Sequence, residues 1–433
     1  MNSSGRIKIV ILNTSERNGG AAIAANRLMK ALQKTGVEAS MLVLHKQTND
    51  LSVVSVQRMF TDKIRAKWNF LLERFFIYFE NGFSRKNLFK VSIANTGFDI
   101  SNHPLVQSAD IIHLHWINHG FLSLSGIQRL IQLGKPVVWT LHDMWAATAI
   151  CHYASDCEKY KDECFSCPLL KGNEYADLSL AFFRKKTFLS LEKICYVGCS
   201  GWISRVSKQS FLLKSAPFSS IPNPIDMNIF RPLSRKEGRE YMELPQDKLL
   251  ILFSAAKISD QRKGGIYFIE ACKYILSNYP DLAENIEIVL MGEGNPEFFN
   301  QLSMKITVLH YISGEKGLAT VYSAVDVFVI PSLEDNLPNT IMESMACGTP
   351  CVGFNVGGIP EMIDHKTNGY VAEYKNSEDL AEGIRYIFEN SEEISMSSKC
   401  IEKVSQCYSE SVIVENYIEL YKSLLRKKTE RYE

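Results

Sequence analysis

Residues 325–361 read VDVFVIPSLEDNLPNTIMESMACGTPCVGFNVGGIPE. From Val325 to Ser332 nearly every position is apolar, the pattern of a parallel strand buried on both faces. A polar loop follows and feeds a helix, with Thr340 as its candidate cap. Thr349–Asn355 reads as a second strand, and Val356-Gly357-Gly358-Ile359-Pro360-Glu361 as a glycine-rich turn at its end. Strand, loop, helix and strand make one βαβ unit of a doubly wound sheet, whose ligands bind beyond the carboxyl ends of the strands. The helix start would offer free N–H groups and a positive dipole end to an anion. Asp335 and Glu343, eight positions apart, bracket that turn.

The same apolar run recurs on both sides of this unit. Upstream in the second half stand LLILFSA (249–255), IEIVLMG (286–292) and ITVLHYI (306–312). The first half has IKIVILN (7–13), ASMLVLH (39–45), DIIHLHW (110–116), PVVWTLH (136–142) and ICYVGCS (194–200). Helical patterns lie between several of them, such as residues 22–36, where Gly36 serves as a C-cap. The series runs twice, and Ile221-Pro222-Asn223-Pro224-Ile225-Asp226 separates the two sets; its prolines remove donors and exclude helix. The expectation is an α/β chain of two Rossmann-like domains with a cleft between them. Residues 1–222 and 223–407 are the domains, and 408–433 a terminal helix and tail with Val412, Tyr417, Leu420 and Leu424 as its apolar face.

Composition agrees with a globular chain of two or three domains: 433 residues, 46% hydrophobic and 22% charged. No apolar run reaches about 18 residues and no cleavage signal follows the first strand, so neither a membrane span nor a signal peptide is expected. The 48 basic and 48 acidic side chains cancel, which argues against a nucleic-acid partner. That total conceals an asymmetry. Residues 1–220 carry 27 basic and 16 acidic side chains, and the remainder 21 and 32.

The residues from Pro331 to Pro350, with Gly357-Gly358-Ile359-Pro360-Glu361, resemble the signature of retaining glycosyltransferases of family 4, which use the GT-B two-domain fold. The resemblance implies that Glu343 binds the nucleotide ribose and that Asp335, where the family usually has Glu, contacts the donor sugar. Asn336-Leu337-Pro338-Asn339 replaces the common Gly-Phe-Gly-Leu between them. Lys257 and Lys263 match the family's Arg/Lys pair for the diphosphate, with Arg262 beside them. Gly292, in Met291-Gly292-Glu293-Gly294, matches a turn beside the nucleotide. In the first half, Gly19 and Gly20 open a helix after the first strand, a loop that the family places under the donor phosphates. His115 matches the family histidine that meets the donor sugar, and His142-Asp143 is a recurrent pattern on the acceptor side. His113 alternates with His115, so a strand would turn both to one face, and an imidazole allows either charge state near neutrality.

Two further segments stand out. Cys151, Cys157, Cys164 and Cys167 fall within 17 residues, with His152 as a spare ligand. The Cys-x-x-Cys end suits a structural zinc; free thiols and disulfides are the alternatives. Residues 63–90 mix aromatic and basic side chains, which reads first as a helix packed on a sheet and second as one lying on an anionic membrane.

The resemblance implies a cytoplasmic enzyme, or one peripheral on the inner face of a membrane, in surface polysaccharide or glycolipid biosynthesis. It would move a sugar from a nucleotide-diphosphate sugar to a hydroxyl of a sugar or lipid-linked saccharide, with retention and no catalytic cofactor. A non-catalytic nucleotide-sugar-binding protein and a GT-B UDP-sugar epimerase are the rival readings.

Overall fold

The valine- and isoleucine-rich runs form two fully parallel sheets in a computed structural model that describes residues 6–171, 177–191, 194–258, 260–294, 299, 301–309, 312–390 and 395–429. The chain divides into two compact units, Met1–Pro224 with Ile413–Glu433, and Ile225–Val412.

The first unit holds β1 (Lys8–Ser15), β2 (Glu38–His45), β3 (Val53–Ser55), β4 (Ile111–Leu114), β5 (Val137–Leu141), β6 (Ile194–Gly198) and β7 (Phe218–Ser220). They lie in the order β3-β2-β1-β4-β5-β6-β7. The second holds β8 (Leu249–Lys257), β9 (Ile286–Glu293), β10 (Lys305–Leu309), β11 (Val327–Ile330), β12 (Cys351–Phe354) and β13 (Gly369–Ala372), ordered β10-β9-β8-β11-β12-β13. In each sheet the winding reverses beside the first strand, between β1 and β4 and between β8 and β11. The carboxyl ends of strands at such a reversal leave a crevice for ligand. The short β3, β7 and β13 have no counterpart among the sequence runs. The expected strand at 306–312 ends at Leu309, and residues 310–311 lie outside the described residues.

The terminal helix, Glu410–Thr429, joins the first unit from Ile413 onward. Ile413, Val414, Tyr417 and Tyr421 are buried with Leu28, Met29 and Leu32 of α1 (Gly20–Lys34) against Ile9, Ile11 and Val43 of the sheet. Its tyrosines also fill polar needs in the core. Tyr421 Oη bonds His113 Nδ1 at 2.8 Å, His113 Nε2 bonds Thr140 Oγ1 at 2.8 Å, and Thr140 Oγ1 bonds Tyr417 Oη at 2.9 Å.

Packing explains only one face of the aromatic-basic segment. In α2 (Phe60–Glu80) the buried residues are Ala66, Glu73, Arg74 and Ile77. Glu73 and Arg74 pair at 3.0 Å. Glu73 accepts from the Ile93 and Ala94 N–H groups at 2.8 and 2.9 Å, and Arg74 donates to the Val91 carbonyl at 2.9 Å. A charged pair thus anchors the helix by satisfying backbone of residues 91–94, while most of its aromatic side chains face solvent.

Tyr421→Phe is expected to destabilise the protein by about 1–3 kcal/mol, because it strands a fully buried imidazole nitrogen. Denaturant unfolding checks this, and an unchanged midpoint would show that the bond contributes nothing.

Candidate functional site

In the second unit the ends of β8 and β11 and the turn after β12 bring one group of expected residues together. Asp335, in the loop after β11, receives Lys263 Nζ at 2.7 Å, Ser332 Oγ at 3.3 Å, and Arg262 Nη1 at 3.7 Å. Burial acts to raise the Asp335 pKa, but Lys263, Arg262 and the hydrogen bonds outweigh it and hold the carboxyl below its ordinary value. Arg262 also donates to the Glu334 carbonyl at 2.8 Å, and Leu333 N–H donates to the Arg262 carbonyl at 2.8 Å. Gly358 N–H donates to the Asp335 carbonyl at 3.3 Å.

Two glycines permit this approach. A Cβ on Gly264 would stand 1.8 Å from the Pro331 carbonyl oxygen, and one on Gly357 would stand 1.8 Å from that of Asp335. Both have φ near the left-handed region, at +70° and +61°.

The remaining second-unit residues are placed as follows. Asn336 and Leu337 are buried directly after Asp335. Glu343 is buried in the helix Asn339–Ala346, where Tyr322 Oη donates to its Oε2 at 3.4 Å. That helix begins at Asn339, with Pro338 at the cap and no side-chain cap bond. Thr340 therefore lies inside the first turn and does not cap it: the fixed φ of Pro338, −65°, already starts the turn. Lys257 is exposed at the end of β8 and takes no part in the Asp335 ion pair. Gly292 lies near the end of β9, facing the Ala255 carbonyl.

In the first unit the ends of β1, β4 and β5 gather a histidine cluster. Thr14 N–H donates to the Trp116 carbonyl at 2.8 Å, and Trp116 N–H to Asn13 Oδ1 at 2.9 Å, tying the first loop to the strand end that carries His115. His115 Nδ1 and His142 Nε2 are 2.9 Å apart and share a hydrogen bond. His115 Nε2 is buried with no partner among the described residues. His113 is a different case, with both nitrogens engaged by Tyr421 and Thr140 in the core. Gly19 caps α1 with φ +94°, and Gly20 begins it; both are exposed.

Burial keeps these imidazoles neutral. It lowers His113, with help from His142, to about 3, and holds His115 well below the ordinary value beside His113 and His142. His142 falls to about 4 by burial alone, opposed by Asp143. His119, at the turn after β4, falls to about 3 by burial and by Arg74 and His152. The expected choice of charge state near neutrality is therefore corrected: the pocket admits the uncharged form.

Asp143 accepts from Trp116 Nε1 at 2.8 Å and from the Trp145 N–H at 2.9 Å, and it pairs with His152 Nδ1 at 2.6 Å. His152 Nε2 bonds Ser92 Oγ at 3.1 Å, so both ring nitrogens are committed and His152 is not a spare metal ligand. The four cysteines, Cys151, Cys157, Cys164 and Cys167, are free thiols that line one cavity. Among the described residues no group of three or more His, Cys, Asp or Glu side chains is arranged to hold a metal ion.

Three buried polar residues of the first unit escaped sequence reasoning. Lys186 is fully buried, 3.4 Å from the Trp145 ring, and donates to the Trp145 and Thr148 carbonyls at 2.5 and 3.0 Å. Desolvation lowers its pKa to about 7. Glu16 is buried and accepts from the Gln47 and Thr48 N–H groups at 2.6 and 2.9 Å. Tyr421 is the third. Its spacing of four from Tyr417 is the one signal the sequence carried for any of them.

Because the buried histidines bind protons more weakly folded than unfolded, the stability they contribute is complete above pH 6.5 and is lost as pH falls toward their folded values of about 3 to 4. The unfolding free energy should therefore fall between about pH 7 and about pH 5, by about 1 kcal/mol per histidine per pH unit below its free value, and denaturant midpoints should fall with it. Equal midpoints would contradict neutral burial.

Residues 248–390 match the family model of glycosyl transferases group 1. A curated relative, the UDP-Gal:alpha-D-GlcNAc-diphosphoundecaprenol alpha-1,3-galactosyltransferase of Escherichia coli, is 25% identical over 210 residues, which is 47% of this chain and 53% of the relative. The chain spans about half the length of the curated relatives it matches. Among solved structures, sucrose-phosphate synthase from Thermosynechococcus elongatus aligns at a TM-score of 0.67 with 18% identity, covering 98% of this chain and 100% of the other. Anabaena HepE in complex with UDP and glucose aligns at 0.60 with 14% identity, covering 96% and 100%. Residues 248–390 thus form a domain of the glycosyl transferases group 1 family, in a chain whose two Rossmann-like units have the GT-B fold.

Proposed function

We propose that this chain is a retaining glycosyltransferase that moves a sugar from a nucleotide-diphosphate sugar to a hydroxyl of a saccharide acceptor. The observation that carries this reading is the pairing of Lys263 and Arg262 with Asp335 beneath Gly357-Gly358, within the segment matching the family model. An ammonium has three donors, so the bond to Asp335 orients Lys263 without exhausting it. Lys263, Arg262 and the N–H groups around 336–341 and 357–359 would then meet a leaving diphosphate. Lys257 is the other member of the expected pair with Lys263, and Arg262 supplements it. Asp335 would contact the donor sugar and Glu343 the ribose.

In the reaction the acceptor oxygen bonds the anomeric carbon as the bond from that carbon to the phosphate oxygen breaks. The acceptor proton passes to a phosphate oxygen on the same face, so no separate protein base and no metal has a step. His115, kept neutral by burial and oriented by His142, would donate or accept a hydrogen bond at the sugar. The Escherichia coli relative acts on a diphosphoundecaprenol-linked sugar. By that likeness the acceptor here is lipid-linked, and the chain works in the cytoplasm on the inner face of a membrane, in glycolipid or polysaccharide assembly.

A panel of sugar nucleotides, with products read by mass, tests the reading; turnover of none would remove it, and nucleotide release without acceptor would favour an epimerase. Lys263→Ala should cut transfer by about 10²–10³. His115→Ala should depress transfer more than nucleotide binding, and full turnover would make it a packing residue.

A structural zinc on Cys151, Cys157, Cys164 and Cys167 belongs to the same proposal, supported by the cavity the four share. The ion would have to draw the thiols together and displace their protons, which burial holds on Cys151, Cys164 and Cys167, with Cys164 raised to about 11. Elemental analysis of chelator-free protein should give about one zinc per chain. None would reject the site.

A further inference from the structure

Amphipathic helices of soluble proteins bury their apolar side. α2 does the reverse. Its charged Glu73–Arg74 pair is buried against backbone, and Phe60, Ile64, Trp68, Leu71, Phe75 and Phe79 are 43–75% exposed. Their spacing of four, four, three, four and four puts all six on one face of the helix, opposite Ala66, Glu73 and Ile77. Phe75 and Phe79 stack at 6.5 Å, and Phe83 meets Phe79 edge-on at 5.4 Å, extending the face past the helix end. Contiguous apolar surface of this kind marks an interaction site.

The charges around it select the occupant. Lys63, Lys67, Arg85, Lys86 and Lys90 are exposed in the same segment, whereas the acidic groups at its surface are Asp62 and Glu80. A second copy of the chain would bring two basic segments together across a symmetric seam, which repulsion opposes. A bilayer surface carrying anionic headgroups offers both what the apolar stripe and what the lysines require. We infer that the exposed aromatic face of α2 docks on an anionic membrane surface, with the helix in the interfacial plane. At 21 residues the helix is about 31 Å long, laid flat with Trp68 near its middle at the headgroup level. The lysine stems can lie along the apolar layer with their ammonium groups at the phosphates. None of the described helices is long and apolar enough to cross a membrane, so the contact is peripheral.

The full chain is sedimented with vesicles of phosphatidylcholine alone and of phosphatidylcholine with about one third phosphatidylglycerol, without sugar nucleotide. It should pellet with the second and not the first, and rising salt should release it. Trp68→Glu with Phe75→Glu should weaken partitioning at least tenfold, as should Lys63→Glu with Lys67→Glu, while circular dichroism and the thermal midpoint stay unchanged. Absence from the anionic pellet, or equal partitioning into both vesicles, would overturn the inference. So would a lipid-free dimer by light scattering that Trp68→Glu dissociates, since the face would then be a chain–chain seam. Lipid binding is read without turnover, so this result and that of the transfer reading stand apart.

Discussion

Two glycines clasp the loop that carries Asp335, and the second unit's chemistry hangs on that clasp. Gly264 lies against the Pro331 carbonyl and Gly357 against that of Asp335, at separations no side chain could occupy. The backbone bonds from Leu333 to Arg262 and from Gly358 to Asp335 draw three strand ends into register at the sheet's reversal point. Only then does the carboxylate meet two cations contributed from 72 and 73 positions away. Burying that carboxylate unpaired would be costly, so its charge is retained because the backbone delivers the partners.

The first unit solves the opposite problem. His113, His115 and His142 are stripped of charge by burial; His115 and His142 orient one another, and Thr140 and Tyr421 hold His113. A neutral, fixed imidazole presents one donor and one acceptor, which suits a sugar hydroxyl better than a diphosphate. The Asp143 carboxylate, shared among Trp116, Trp145 and His152, stiffens the loop beside it. A carboxylate met by two cations thus marks one unit's site, and neutral imidazoles beside the Asp143 carboxylate mark the other's.

Much of this was legible in the sequence, for physical reasons that also mark where legibility ended. Strands covered on both faces must be apolar throughout, so β1, β8 and β11 announce themselves, whereas the three-residue β3 and β7 carry too few positions to form a pattern and β13 starts on a glycine. Lys263, Asp335 and Gly357 were found by motif order, but the ion pair between the first two follows from β8 and β11 being neighbours, which no local spacing encodes. A period of two put His113 and His115 on one face. What distinguishes them is Tyr421, some 300 residues later. Aromatic and basic residues in α2 suit packing and lipid equally well on paper; the partners of Glu73 and Arg74 decide which face is buried.

The return of the terminal helix to the first unit has a consequence during synthesis. The second unit, Ile225–Val412, is a continuous stretch and can fold as soon as it leaves the ribosome. The first unit, although made earlier, cannot close its core over Ile9, Leu28 and His113 until Ile413, Tyr417 and Tyr421 arrive. The older half of the chain must therefore wait for the younger, holding a sheet face uncovered meanwhile. A chain cut short just after Val412 would carry a complete second unit tethered to an unfinished first, the form most exposed to aggregation and to chaperone capture.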